Sequence, residues 1–579
     1  MFNLLKSIIT GALFAAATLF AVTGTSASLH HDSPGAHGHG HPGGHGHDHG
    51  HHGGHGHGSH HHYAVFTNVL PSGEYHGLWV ENMDHPGSSP TQVTDQILDH
   101  ATNSLNTAIL HGWSYDPTHN EALNVRARLI VYGMGGTLYA DDPQHPASSY
   151  QFSNGHYAAL CGISALDGLP FGQGASYVIA QVIPAGSSGD CSIAADQQTW
   201  LIPANAGAST APTIKSSDWS VLSAFWNPST GAFVNWLIRN GSEIGTADMD
   251  FSHFTPLLSG LSSDVILGLS AAPDGHTAFM IQQQDTASTS TIGIYRLTPS
   301  AATVVGSFSY PVSSPCYFPF GSASSAMDTD TGLFAFTVAN ASGYSVYSLP
   351  VSGGGANLIY ADNSGTTCGS ATGDSPSAGH VVLNENNLVT GASRVIGVAE
   401  TGPAAQVPAV LDASTADGFT SARYTIAGHV WIDHYDVLPD SSYIQSTYVR
   451  DGDGTHVADY PGAINRDDIW HGFHLGGEPV VDRDAVYLFT PNAAYCNGGT
   501  LSVVDPVSFA QTAVSGLPAD ACGLVAFGWE PESIGNVQEP AGNSAIAIDP
   551  LTAQLYVLTG PAASGSYQNI ESLPSYPFF

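Results

Sequence analysis

Ala326-Met-Asp328-Thr-Asp330-Thr-Gly332-Leu-Phe334-Ala-Phe336-Thr-Val338 begins as an apolar run, stops at acidic and threonine residues, and resumes beyond a glycine as an alternating strand. Asp and Thr side chains bond their own backbone and glycine accepts positive φ. The segment therefore predicts a tight turn between two antiparallel strands. Gly343-Tyr-Ser-Val-Tyr-Ser-Leu349 and, after Gly353-Gly-Gly355, Asn357-Leu-Ile-Tyr360 repeat the alternation of run and turn. The four runs predict one small sheet.

Variants of the same hairpin occur on both sides. Ala224-Phe-Trp-Asn-Pro-Ser-Thr-Gly231-Ala-Phe-Val and Ser270-Ala-Ala-Pro-Asp-Gly275-His-Thr-Ala-Phe-Met place an Asx or Pro turn before a strand. Ala545-Ile-Ala-Ile-Asp549-Pro-Leu-Thr-Ala-Gln-Leu-Tyr-Val-Leu558 does so near the C terminus, with further candidates at Asp412, Asp484 and Asp505. The turn glycines at 231, 275 and 332 are 44 and 57 residues apart, against the ~40–50 residues of one four-stranded propeller blade, with insertions expected in the longer step. The expected fold is all-β: a single β-propeller over residues 63–560 with seven or eight four-stranded blades, followed by a C-terminal tail at 561–579. Residues 63–68 are expected to pair into the last blade and close the ring, which removes sheet edges. Two successive β domains and a β-helix are the rival architectures.

Ala271-Ala-Pro-Asp-Gly275 resembles the blade turn of secreted TolB-like propellers, and Ala547-Ile-Asp549-Pro-Leu-Thr-Ala-Gln-Leu-Tyr-Val557 is similar to YVTN-like repeats. The resemblance covers about four short segments. Residues 63–220 share it loosely, through Gly135-Gly-Thr-Leu-Tyr-Ala140. It implies a secreted or periplasmic propeller, a fold whose loops form a recognition surface without dictating a chemistry.

One helix is expected beside the sheets. Ser89 can cap it, Pro90 suits its first turn, and Val93, Ile97, Leu98, Ala101, Leu105, Ala108 and Ile109 make one apolar face up to His111.

The charge balance bounds the partners. Acids outnumber bases 47 to 11, the formal charge is -36, and only Lys6 and Lys215 are lysines. Such a surface repels phosphate, which argues against nucleic acid and favours cations. Few ion pairs and 30 histidines would also suit acidic surroundings. Lys6, an apolar stretch at 8–22 and Thr25-Ser-Ala27 read as a signal peptide over residues 1–27; Thr10, Gly11, Thr18, Thr23 and Gly24 interrupt the apolar stretch too often for a membrane anchor, so no span is expected after cleavage. In an oxidising compartment the six cysteines pair. Sequence alone permits any connectivity, and neighbour pairing, Cys161 with Cys191, Cys316 with Cys368 and Cys496 with Cys522, would staple one or two consecutive sheets.

Two concentrations of ligand-type residues remain. The tail at 28–62 holds fifteen of the 30 histidines, among them His37, His39, His41, His45, His47, His49, His51, His52, His55, His57, His60, His61 and His62. Imidazoles spaced by glycine on a chain without a core can converge on Zn(II), Ni(II) or Cu(II), in several exchangeable arrangements. The bland reading is a solubilising spacer. Between 429 and 484 histidines and carboxylates are again dense, and Asp451, Asp453 and Asp459 carry the alternation of a calcium loop. Gly462 stands at the twelfth position, where an EF-hand has its bidentate acid. An ordinary Asp-Gly turn is the competing reading of 451–459.

No haem-attachment motif, nucleophile elbow or phosphate loop occurs. The sequence thus favours a propeller binding or scaffold protein with a metal-capturing tail and, as partners, metal ions and a protein. A metal-dependent hydrolase or oxidoreductase using the 429–484 cluster is one alternative, an extracellular structural protein another. Trp219, Trp226, Trp236 and Trp431, with Trp470 and Trp529, are expected in sheet cores and not on a carbohydrate platform.

Overall fold

The computed structural model describes residues between 63 and 572, with short interruptions from 126 to 461 and longer ones on either side. Residues 1–62 lie outside the described residues, as do Cys496 and Cys522.

Seven consecutive four-stranded sheets, A to G, make up the larger part. Sheet C decides how they are read. Its strands are Ala323–Asp328, Leu333–Asn340, Gly343–Pro350 and Asn357–Asp362, joined in sequence order and all antiparallel. The backbone N–H of Thr331 donates to Asp328 Oδ1 at 3.0 Å, that of Gly332 donates to the Asp328 carbonyl at 3.0 Å, and Gly332 has φ +65°. The acid and the glycine thus make the turn for the reasons their chemistry suggests.

Both faces of Leu333–Asn340 are buried. Phe334 and Phe336 point to one side, where Phe334 stacks on Phe279 of the preceding sheet with centroids 4.5 Å apart. Ala335, Thr337 and Ala339 take the other side, because successive residues of a strand face opposite ways. Large residues toward one neighbour and small ones toward the next let sheets stack at close distance.

Sheet A comprises Trp219–Trp226, Phe233–Asn240, Glu243–Ala247 and Phe254–Ser259; sheet B comprises Val265–Ala271, Ala278–Asp285, Thr289–Thr298 and Ala301–Pro311. Sheet D holds Thr367–Ala371, His380–Asn387, Ser393–Ala399 and Ala409–Ala413; sheet E holds Phe419–Ile426, His429–Val437, Tyr443–Arg450 and His456–Pro461. F and G follow from Ile469–Trp470 to Asn569–Ser572, and the first two strands of G pair in parallel.

The core lies in the seams between sheets. Phe225, Leu237, Met280 and Leu297 join A to B, Val382, Leu411, Val430 and Ile432 join D to E, and Trp431, Tyr460 and Val504 join E to F. The first strands of A, B, C and D lie side by side. Sequential four-stranded sheets stacked face to face, antiparallel meanders in A to F and first strand beside first strand in A to D, follow the blade order of a β-propeller. Trp219, Trp226, Trp236 and Trp431 are buried, as expected of sheet cores.

The N-terminal part departs from this pattern. Tyr150–Leu166, a strand of 17 residues, pairs at its start with Thr137–Asp141 and from Tyr157 onward with Tyr177–Pro184. It closes one meander and opens the next, producing a sheet of seven strands. Cys161, on this strand, is bonded to Cys191, and Cys316, ahead of sheet C, to Cys368, on the first strand of sheet D. The second bond therefore staples across the whole of sheet C, as neighbour pairing implied.

Two expectations need correction. The region expected to be helical contains strands Thr91–Ile97 and Thr107–Gly112, the first paired with Tyr75–Asn82 and the second with Arg126–Met134. The apolar residues fit a helical face, but Thr91, Val93, Thr94 and Ile97 are β-branched and favour a pleated surface. Val93 and Leu98 pack with Leu78, Ile130 and Tyr132 across the sheets, and that packing overrides the helical spacing. Tyr63–Val69, in turn, pairs with Tyr75–Asn82 in a separate three-stranded sheet and is no part of sheet G. Its neighbour in sequence was the nearer partner, with a shorter loop to close.

Candidate functional site

The densest polar constellation among the described residues of the 429–484 region sits in the seam between D and E. On His429–Val437, Val430, Ile432 and His434 share the face toward D, while Trp431 and Asp433 share the opposite face. His434 continues the apolar row and meets the outer strand of D. Its Nδ1 lies 2.6 Å from Asp412 Oδ2, and its Nε2 lies 3.2 Å from Asp436 Oδ1. Thr420, on the first strand of E, donates its hydroxyl to the same Asp412 oxygen at 2.5 Å.

Carboxylates on both ring nitrogens require two N–H donors, so the geometry fits the imidazolium. The Asp412 hydrogen bond raises the His434 pKa, and the opposing effect of burial does not cancel it. Burial alone would raise the Asp412 carboxyl, but the hydrogen bonds from His434 and Thr420 outweigh it and hold the acid below its ordinary range. The imidazole of His434 is buried, with the Tyr448 ring 5.2 Å away.

The rest of the region is dispersed. His429 Nδ1 pairs with Asp451 Oδ1 at 2.6 Å. Asp453 Oδ1 accepts from the Thr455 backbone N–H at 2.9 Å, the N–H of Gly454 donates to the Asp451 carbonyl at 2.9 Å, and Gly454 has φ +89°. These residues build the hairpin turn between the third and fourth strands of E. Asp459 accepts from Arg450 at 2.7 Å and faces His456 Nε2 at 3.2 Å. Asp451, Asp453 and Asp459 are thus engaged with different partners. Among the described residues no three His, Cys, Asp or Glu side chains gather as metal ligands. His471, His474, Glu478, Asp482 and Asp484 lie outside the described residues, as do the tail histidines from His37 to His62.

A second constellation, in the seam between C and D, went unread in the sequence. Glu385 is 1% exposed, and its carboxylate accepts from the Tyr344 hydroxyl of sheet C and from Arg394 Nε. Arg394 also lies 3.9 Å from Asp362. Burial, then the Glu385 charge, pushes the Tyr344 phenol far above its usual range and Tyr360 up to about 12. Gly369 leaves room for this arrangement, since a Cβ there would stand 2.4 Å from the Tyr344 ring. The available signal was register: Glu385 and Arg394 are directly opposed across two strands of D, a cross-strand charge pair. Nothing in the spacing of the sequence announces that pairing.

Two further acids, the half-buried Asp99 and the buried Asp141, stand apart from these seams. Asp99 accepts from the backbone N–H groups of Gly135 and Gly136 and from the Tyr157 hydroxyl, which ties a hairpin turn to its neighbouring strand. Asp141 is 0% exposed, accepts from Ser149 at 2.8 Å, and is pushed up to about 6, chiefly by burial.

No protein-family model matches the sequence, and no curated protein does. Among solved structures, the β-propeller domain of the Trilobed protease from Pyrococcus furiosus is similar at 10% identity and TM-score 0.29, over 59% of this chain and 94% of that one. A putative TolB from Agrobacterium tumefaciens is similar at 12% identity and TM-score 0.21, over 59% and 91%. A eukaryotic initiation factor structure covers 78% of this chain and 95% of its own at 8% identity and TM-score 0.36. The class to which the molecule belongs, an all-β protein of propeller blades, rests on its strand order and its seams.

Proposed function

We propose that this chain is an extracytoplasmic propeller that acts as a binding or scaffold protein, and that its histidine-rich segment captures transition-metal ions. The observation that carries the reading is the concentration of fifteen histidines in a glycine-spaced stretch directly after a leader-like sequence. Neutral imidazoles at that density bind Zn(II), Ni(II) and Cu(II) through whichever rings converge. Two disulfides support an oxidising compartment, and the negative charge of the chain favours cations over nucleic acid or anionic lipid. In this reading the sheets supply a rigid body and a loop surface for a protein partner.

The test is calorimetric titration of Zn(II), Ni(II), Cu(II) and Ca(II) into the full chain and into a variant with serine at the thirteen histidines from His37 to His62 named above. Transition-metal heat that disappears in the variant, and that weakens below about pH 6 as the rings protonate, supports the proposal. Undiminished heat in the variant overturns it. A calcium isotherm abolished by Asp453→Asn would place a separate ion at Asp451, Asp453 and Asp459.

A further inference from the structure

We infer that His434 is a proton-gated clasp between sheets D and E, closed while the imidazole is charged and loosened when it is neutral. The inference stands on placement. The ring is buried in a seam otherwise made of Val382, Leu411, Val430 and Ile432, and its two nitrogens face two carboxylates, one on each sheet. Asp412 belongs to the outer strand of D, opposite Val395, and Asp436 to the same strand as His434. With both N–H groups present, one cation bridges the two sheets. With one proton gone, a ring nitrogen lone pair faces a carboxylate across 2.6 or 3.2 Å, and that contact becomes repulsive.

The other charged and titratable groups around the ring leave this logic in place. Asp412 and Asp436 are the acids in direct contact. Tyr448, from the third strand of E, packs its ring on the imidazole and remains protonated, its pKa raised by burial. Arg450 lies over the far side of the system, 5.1 Å from the Tyr448 centroid, and is paired with Asp459. Asp433 is on the opposite face of the strand, and Thr420 holds Asp412 without titrating. The His434 pKa is raised, so the clasp contributes fully below the ordinary imidazole value and is lost as pH rises through the raised one. Asp412, held low, sets the acid limit: its contribution is lost only when pH falls through its depressed value. The clasp therefore works from acid to near-neutral pH and opens toward alkaline pH.

Hydrogen exchange read by mass spectrometry on the full chain, as protection factors from about pH 5 to pH 9, tests this. In the native protein, protection of Phe419–Ile426 and Ala409–Ala413 should fall with rising pH by up to about tenfold per unit across the His434 titration. Protection of Leu333–Asn340 should stay level. His434→Gln should give low, pH-independent protection at the same two strands. Asp436→Asn, at an exposed position that does not put folding at risk, should keep the transition but move it to lower pH. Equal pH profiles for native protein and His434→Gln would overturn the inference, as would an Asp436→Asn profile that does not move.

Discussion

The seams on the two faces of sheet D hold their charges differently. Toward C, Glu385 is buried against a guanidinium and a phenol, both of which keep their protons throughout the physiological range. Toward E, the cation is an imidazole, the one side chain whose ordinary pKa lies where biological pH varies. In one seam the acid of D meets a guanidinium of its own sheet, in the other an imidazole of the next sheet, and the identity of the cation decides whether the seam responds to pH. Propeller blades are interchangeable as architecture and distinct as chemistry.

The most damaging way to break the contrast is Arg394→Met. It leaves the Glu385 carboxylate buried with Tyr344 as its remaining donor, and removing one partner of a buried pair costs about 3–5 kcal/mol. Urea unfolding at about pH 8 should show that loss. Next comes Gly369→Ala, whose Cβ would meet the Tyr344 ring at 2.4 Å; overpacking of this kind costs about 1–3 kcal/mol and should lower the thermal midpoint at every pH.

His434→Gln sharpens the contrast. At acid pH it removes a charge-assisted hydrogen bond, about 1–3 kcal/mol, and the deficit relative to the native protein should shrink toward zero as pH rises, because the native protein itself loses the contribution. Asp141 adds to the same trend. Its pKa, raised by burial to about 6, means that stability present below about pH 4 is lost as pH rises toward 6. Asp141→Asn should flatten that part of the stability curve. The smallest effect belongs to Asp459→Asn, since the Arg450 and His456 pairs lie at a side chain 41% exposed; surface pairs are worth about 0–1 kcal/mol, so the midpoint should hardly move.

Much of the fold was legible because turns and strands announce themselves locally. Asp328 and Gly332, and Asp505 with its bonds to Val507 and Ser508, behave as Asx turns wherever they occur. Alternation of Phe334 and Phe336 with small residues marked a strand with two buried faces. Failures came where tertiary partners decide. The apolar residues from Val93 to Ile109 can line a helix or a sheet, and the choice was made by Leu78 and Tyr132 from other strands. The seams were harder still. His434 stood within a segment rich in ligand-type residues, yet its main partner, Asp412, is 22 residues away on another sheet. Glu385 and Arg394 looked like ordinary strand polar residues until register opposed them. Period-2 patterns reveal which face a residue takes, not which residue of the next sheet it meets.

Of the measurements that bear on this contrast, the ring-nitrogen spectrum of His434 is the most direct. Histidine-selective nitrogen labelling, with His434→Gln supplying the assignment by difference, reads both nitrogens of one side chain as pH is varied. The account predicts two protonated nitrogens at about pH 6.5 and a titration above that ordinary value. A His434 with one unprotonated nitrogen at that pH, titrating at or below it, would contradict the distinction between the two seams.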